Sequence, residues 1–192
     1  MTVPVLFGIA AGVLEFASVA VYIRSILKKE TLPNRVTWWI LALVSGMITA
    51  SYWASGARET IWLPVAYTTS FIVIGLLSVK YGDGPITLNL LDRACLVGAL
   101  VSAFIWWFFD SPALALYMNI VIDFIALIPT ARKAYMRPRT ESKGSWIIAA
   151  IASFLNVLAI ERWIFVIAAY PIYVCIMNTL ITYFIVRRKT VQ

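Results

Sequence analysis

The sequence predicts an all-α integral membrane protein whose seven transmembrane helices form two parallel three-helix repeats joined by a linker helix. Three observations lead there. Of 192 residues, 62% are apolar and only 13% charged, against roughly 25% charged in an ordinary soluble domain. The apolar residues fall into seven runs, most of them near the about 20 residues needed to cross about 30 Å of hydrocarbon. Setting residue n against residue n+108 without a gap pairs Glu15 with Asp123, Phe16 with Phe124, Arg24 with Arg132, Thr37 with Ser145, Trp38 with Trp146 and Ser45 with Ser153.

The runs are 3–23, 36–54, 61–79, 89–109, 112–131, 146–160 and 163–186. The first has no basic segment before it and contains Glu15, so it reads as a retained span rather than a cleaved signal. The sixth is short and reaches full length only by running close to Glu161 and Arg162 at one end and to Ser142 at the other. Carrying the repeat into the third span of each half needs one deleted residue, after which Pro64, Thr68, Phe71 and Gly75 match Pro171, Cys175, Asn178 and Thr182. Both sets follow spacings of 4, 3 and 4, which is one stripe of a helix. Residues 1–80 are thus expected to form the first repeat, 81–110 the linker helix, and 111–192 the second repeat with a short basic tail. A three-span unit ends on the side opposite its start, so an extra crossing must precede a second unit of the same direction.

Charge sets the expected orientation. Fourteen basic residues, in the segments after spans 1, 3, 5 and 7, would share one side, leaving Arg58 and Arg162 on the other. Positive-inside counting puts the N-terminus outside and the C-terminus in the cytoplasm, and the absence of extra domains favours a bacterial or archaeal inner membrane. The eight tryptophans lie near span ends and read as an interfacial belt. Trp53, in Ser51-Tyr52-Trp53, is the exception, since it could wall a solute pathway. Cys95 and Cys175 read as buried thiols.

Two acids carry the chemistry. Glu15 sits on a stripe of Gly8, Gly12 and Ser18 or Val19 that ends near Tyr22, and small residues at such spacing let another helix approach. Asp123 has an equivalent stripe with Asn119, Ala126 and Thr130. An ionised carboxylate at the bilayer centre costs about 2.5 to 3.5 kcal/mol on insertion scales. Glu15 and Asp123 are therefore candidates for proton coupling or for the counter-charge of a cationic or polyhydroxyl solute; the alternative is a pair of protonated structural acids. Asn178, Asn156, Tyr67 and Trp53 are the candidate solute contacts, with helix-to-helix bonding or ordinary packing as the competing role. Pro64, Pro129 and Pro171 each remove a backbone hydrogen bond and kink a helix, as hinges or as static bends. No histidine occurs anywhere, which removes most zinc and haem sites and the commonest general base. Span 7 has no lysine for a retinal Schiff base, and Tyr81-Gly82-Asp83-Gly84 reads as a glycine-rich turn rather than a protease motif. No enzyme activity, metal or cofactor is expected.

The stretch from Asp123 through Pro129 to Tyr135, with Thr37-Trp38 and Ser145-Trp146 opening the second helix of each repeat, resembles the SWEET and PQ-loop transporter superfamily. That group has a 3+1+3 layout and includes sugar facilitators and proton-coupled amino-acid exporters. Asn178 stands where members place a substrate-facing asparagine. Thr130 replaces the glutamine that follows the family's proline, and Val21 replaces the proline in repeat 1. The resemblance implies a SWEET-like fold and alternating-access transport of a small polar solute, sugar or amino-acid-like. The expected partners are that solute, the lipid bilayer and further copies of the chain in a homo-oligomer, with no nucleic acid. Two other readings stand beside it: a non-transporting receptor or sensor on the same scaffold, and a facilitator of the nicotinamide riboside type.

Overall fold

The computed structural model describes residues 2–30, 33, 35–82, 88, 90–138 and 141–187, without the side chains of Arg35 and Pro129. Among the described residues seven α-helices occupy the predicted runs: α1 Val3–Leu27, α2 Arg35–Ala54, α3 Trp62–Tyr81, α4 Leu90–Phe109, α5 Pro112–Met136, α6 Lys143–Leu158 and α7 Phe165–Val186. A 3₁₀ turn, Glu59–Ile61, precedes α3, and no strand occurs among the described residues. Asp83 and Gly84 of the expected turn, and the basic residues Arg139, Arg188 and Lys189, lie outside the described residues.

Six helices are long and apolar enough to cross a membrane, as expected of an integral membrane protein. The exception is α6, whose 16 residues rise only about 24 Å. It gains length at the Ser142 end alone, because residues 159–164 leave the helix. Pro4 and Pro112 fall in the first turns of α1 and α5, where a missing N–H removes no helical bond.

The outer surface is apolar, with Leu90, Trp107 and Phe165 among its most exposed residues, while serines and asparagines lie inside. Out of reach of water, the buried hydroxyls of Ser45, Ser51, Ser78, Ser102 and Ser153 each bond a carbonyl three or four residues back in their own helix. A serine satisfied in this way is small and apolar toward its neighbour, and helices can close over it.

Packing alternates between the halves. Helix α1 lies on α3 and α6, α2 on α3 and α5, α7 on α5 and α6, and α4 covers the outside of α5 and α2. α1 and α3 run parallel: Gly12 meets Trp62, and three residues on Glu15 faces Tyr67. α5 and α7 do the same through Tyr117–Phe165 and Asp123–Tyr173. Across the halves, Ser18 and Ser145 bond each other's side chain and backbone at 2.9 to 3.0 Å.

The stripe Gly8, Gly12, Glu15, Ser18 and Val19 is buried, as its spacing predicts. Its glycines are required by close approach: a Cβ on Gly8 would collide with the carbonyl oxygen of Glu59, and one on Gly12 would stand 3.0 Å from the carbonyl oxygen of Trp62. Gly8→Ala is expected to lower the thermal unfolding midpoint in detergent, at a cost of roughly 1 to 3 kcal/mol for overpacking. Gly46→Ala, whose new methyl meets Thr68 at an ordinary 3.8 Å, should leave the midpoint in place. An unchanged Gly8→Ala midpoint would mean that α1 does not seat on the 59–62 turn.

Candidate functional site

A cavity of about 430 Å³ lies between the two halves, within the roughly 300 to 1,000 Å³ typical of small-molecule sites. Glu15, Tyr67, Asp123, Tyr173 and Asn178 line its depth; Tyr22, Trp38, Lys133, Glu141 and Trp146 line its mouth. The mouth lies at the end where α1, α3, α5 and α7 finish, hereafter the basic end. It opens to the outside there, since the Lys133 side chain is 47% exposed.

In both halves an acid on the first helix faces a tyrosine on the third. Glu15, only 3% exposed, is within hydrogen-bonding reach of Tyr67, while its Oε2 has no partner. The Tyr67 hydroxyl accepts from Asn178 Nδ2 at 2.7 Å, and the same amide gives its other hydrogen to the Ala149 carbonyl at 3.3 Å. One chain of polar contacts thus joins α1, α3, α7 and α6. In the second half the Tyr173 hydroxyl donates to Asp123 Oδ2 at 2.6 Å. The two pairs are equivalent in chemistry but offset by one residue, because Tyr67 aligns with Val174 rather than with Tyr173. At the mouth, Lys133 Nζ meets Glu141 Oε1 at 2.8 Å, and Trp146 Nε1 donates to Glu141 Oε2 at 3.3 Å.

The opposite end is closed, and proline chemistry explains how. Pro171 lies inside α7 and has no N–H to give the carbonyl four residues back, that of Ile167. The fully buried Tyr52 supplies the missing donor: its hydroxyl bonds the Ile167 carbonyl at 2.6 Å and also meets Thr60 Oγ1 at 2.6 Å. Its ring packs on Tyr170 at 5.4 Å. Farther out, Arg162 Nη2 donates to the Gly56 carbonyl at 2.7 Å. Both ties join α2 or the loop after it to α7 or the loop before it.

Of the residues singled out by sequence, Glu15, Asp123, Tyr67 and Asn178 come together on the cavity wall. Trp53 stands apart, 51% exposed at the closed end with the Arg58 guanidinium 4.0 Å over its ring. Asn156 is fully buried away from the cavity, and neither of its amide atoms has a hydrogen-bond partner. Asn119 donates to Ser102 and so ties α5 to α4. Pro64 occupies the first turn of α3, where no α-helical bond is lost. At position 129 helix α5 runs on to Met136; the Pro129 ring lies outside the described residues. Trp38 and Trp146, which the sequence places in an interfacial belt, are half-buried and line the cavity mouth, a role the sequence reading does not give them. Their pairing at n+108 was the signal that could have found them. Nothing in the linear pattern marked Tyr52 or Tyr170.

Tyr52→Phe leaves the Ile167 carbonyl without a donor, a loss expected to cost about 1 to 3 kcal/mol and to lower the thermal unfolding midpoint. Because Thr60 shares that hydroxyl, adding Thr60→Val should lower it by less than the sum of the single effects. Full additivity would mean that the two groups are not coupled. No protein-family model, curated protein or solved structure matches the chain.

Proposed function

We propose that the protein is a secondary transporter of a small polar solute that works by alternating access between two three-helix repeats, α1–α3 and α5–α7, with α4 as the linker. The observation that carries the reading is the cavity itself. It lies between the halves, reaches the exterior at the basic end and has in its wall Tyr170, whose ring packs on the fully buried Tyr52. A pocket open to one side and latched on the other, at the junction of two similar units, is what a rocking carrier needs.

The repeat reading has support in the packing. Exchanging the halves turns the α1–α3 contact into α5–α7, α2–α3 into α6–α7, and α1–α6 into α5–α2, and each of these pairs is in contact. Each half also brings one acid, Glu15 or Asp123, to the same depth, where proton binding could be coupled to solute movement. With the basic end in the cytoplasm, the cavity faces inward, the N-terminus is outside, and solute leaves past Trp38, Trp146 and the Lys133–Glu141 pair. A receptor on this scaffold would keep a one-sided pocket.

Thiol accessibility separates the two whatever the solute is. In a Cys95→Ser, Cys175→Ser background, Ala126→Cys would place a thiol on the cavity wall. A membrane-impermeant maleimide should modify it from either face of oriented proteoliposomes. Modification from the basic face alone would overturn alternating access and favour the receptor.

A further inference from the structure

We propose that the cavity takes an organic cation, a protonated amine or N-alkylated heterocycle with a flat apolar body, in preference to a sugar or an anion. The inference rests on the reading of this cavity as a solute site and names the class of solute.

Three features of the wall point the same way. The first is charge. Among the described residues four carboxylates line the cavity, Glu15, Asp92, Asp123 and Glu141, against one ammonium, Lys133, and that ammonium sits at the mouth on Glu141. Among the described residues no cation reaches Glu15 or Asp123, and Glu15 Oε2 is buried with no partner at all. An anion placed between these acids would meet repulsion in a low-dielectric site, whereas a cation supplies the charge that a buried carboxylate lacks.

The second feature is how several of the polar groups are already spent. Asn178 gives both amide hydrogens to the protein, and the Tyr173 hydroxyl gives its hydrogen to Asp123. Ser18 and Ser145 bond each other, and Ser45 bonds back to Ala42. These groups face the cavity with acceptors to offer and their donors committed. A sugar hydroxyl must both give and receive, and a carboxylate only receives; an ammonium only gives.

The third feature is an unbroken aromatic wall on the first repeat. Tyr22, Trp38, Phe71 and Tyr67 all line the cavity, with successive ring centroids 5.3, 5.5 and 5.5 Å apart. Asp123 and Tyr173 line the cavity from the second repeat. Aromatic faces attract a cation, more strongly when water is excluded, and they bury a flat body at the same time.

Tryptamine and 1-methylquinolinium are suitable cation probes, with indole-3-propionate as the matched anion and glucose as the sugar. The full-length protein in detergent is titrated with each, and its thermal unfolding midpoint is followed; binding raises it by mass action. The expected result is a saturable rise with at least one cation and none with the anion or the sugar. Glu15→Gln and Asp123→Asn should each weaken cation binding by about 30-fold or more, as the loss of one partner of a buried charge pair does. The unliganded midpoint of each variant reports whether it folds, and wild-type selectivity alone decides the case if neither does. The inference is overturned if neither cation binds, if glucose or indole-3-propionate binds instead, or if folded variants bind the cation as the wild type does. Cation binding by a protein whose Ala126→Cys thiol is modified from one face only would keep this inference and overturn transport. Sugar binding with modification from both faces would do the reverse.

Discussion

Most polar groups in the spans find a partner inside the protein, because hydrocarbon offers none; Glu15 Oε2 and the Asn156 amide are left without one. That constraint organises the whole molecule. It turns Ser45, Ser51 and Ser153 back onto their own helices, so that α2 and α6 can pack closely on their neighbours through small residues. It also forces the groups that cannot be satisfied within one helix, the carboxylates of Glu15 and Asp123 and the amide of Asn178, to meet across helices. The cavity forms where those groups gather, and the same contacts that settle their hydrogen bonds hold α1, α3, α6 and α7 in place around it.

The closed end follows the same rule. A proline inside α7 leaves the Ile167 carbonyl without its helical donor, and in a membrane interior such a carbonyl is expensive to orphan. Tyr52 reaches over from α2 to cap it. The closure is therefore a consequence of a backbone defect rather than of bulk alone, and it ties an element of one half to an element of the other. At the open end Trp146 is spent on Glu141, within its own half, while Ser18 and Ser145 join the halves one residue from it.

Hydrophobic length alone made the seven helices legible, including the shortness of α6, since a span must bury about 20 residues whatever its neighbours are. The buried stripe of α1 was legible too, because Gly8, Gly12 and Glu15 recur at helical spacing and a glycine has no reason to face lipid. Glu15 and Asp123 stood out for the cost of placing charge in an apolar run. Aromatic residues were the difficulty: a tryptophan near a span end suits an interface, a cavity mouth or a core equally well, and only the neighbouring helix decides. Trp38 and Trp53 look alike in sequence, yet one lines the cavity and the other lies half exposed at the closed end.

The amino-acid sequence by itself determined the number and extent of the helices, the acids they carry, and the n+108 correspondence of the halves, because each rests on local composition or spacing. Tertiary structure decided what those acids face. The partners of Glu15 and Asp123, the spending of both Asn178 hydrogens, and the capping of the Ile167 carbonyl by Tyr52 join residues between 29 and 115 positions apart. Such contacts depend on which helix lies beside which and at what height, quantities that no periodicity along one helix contains.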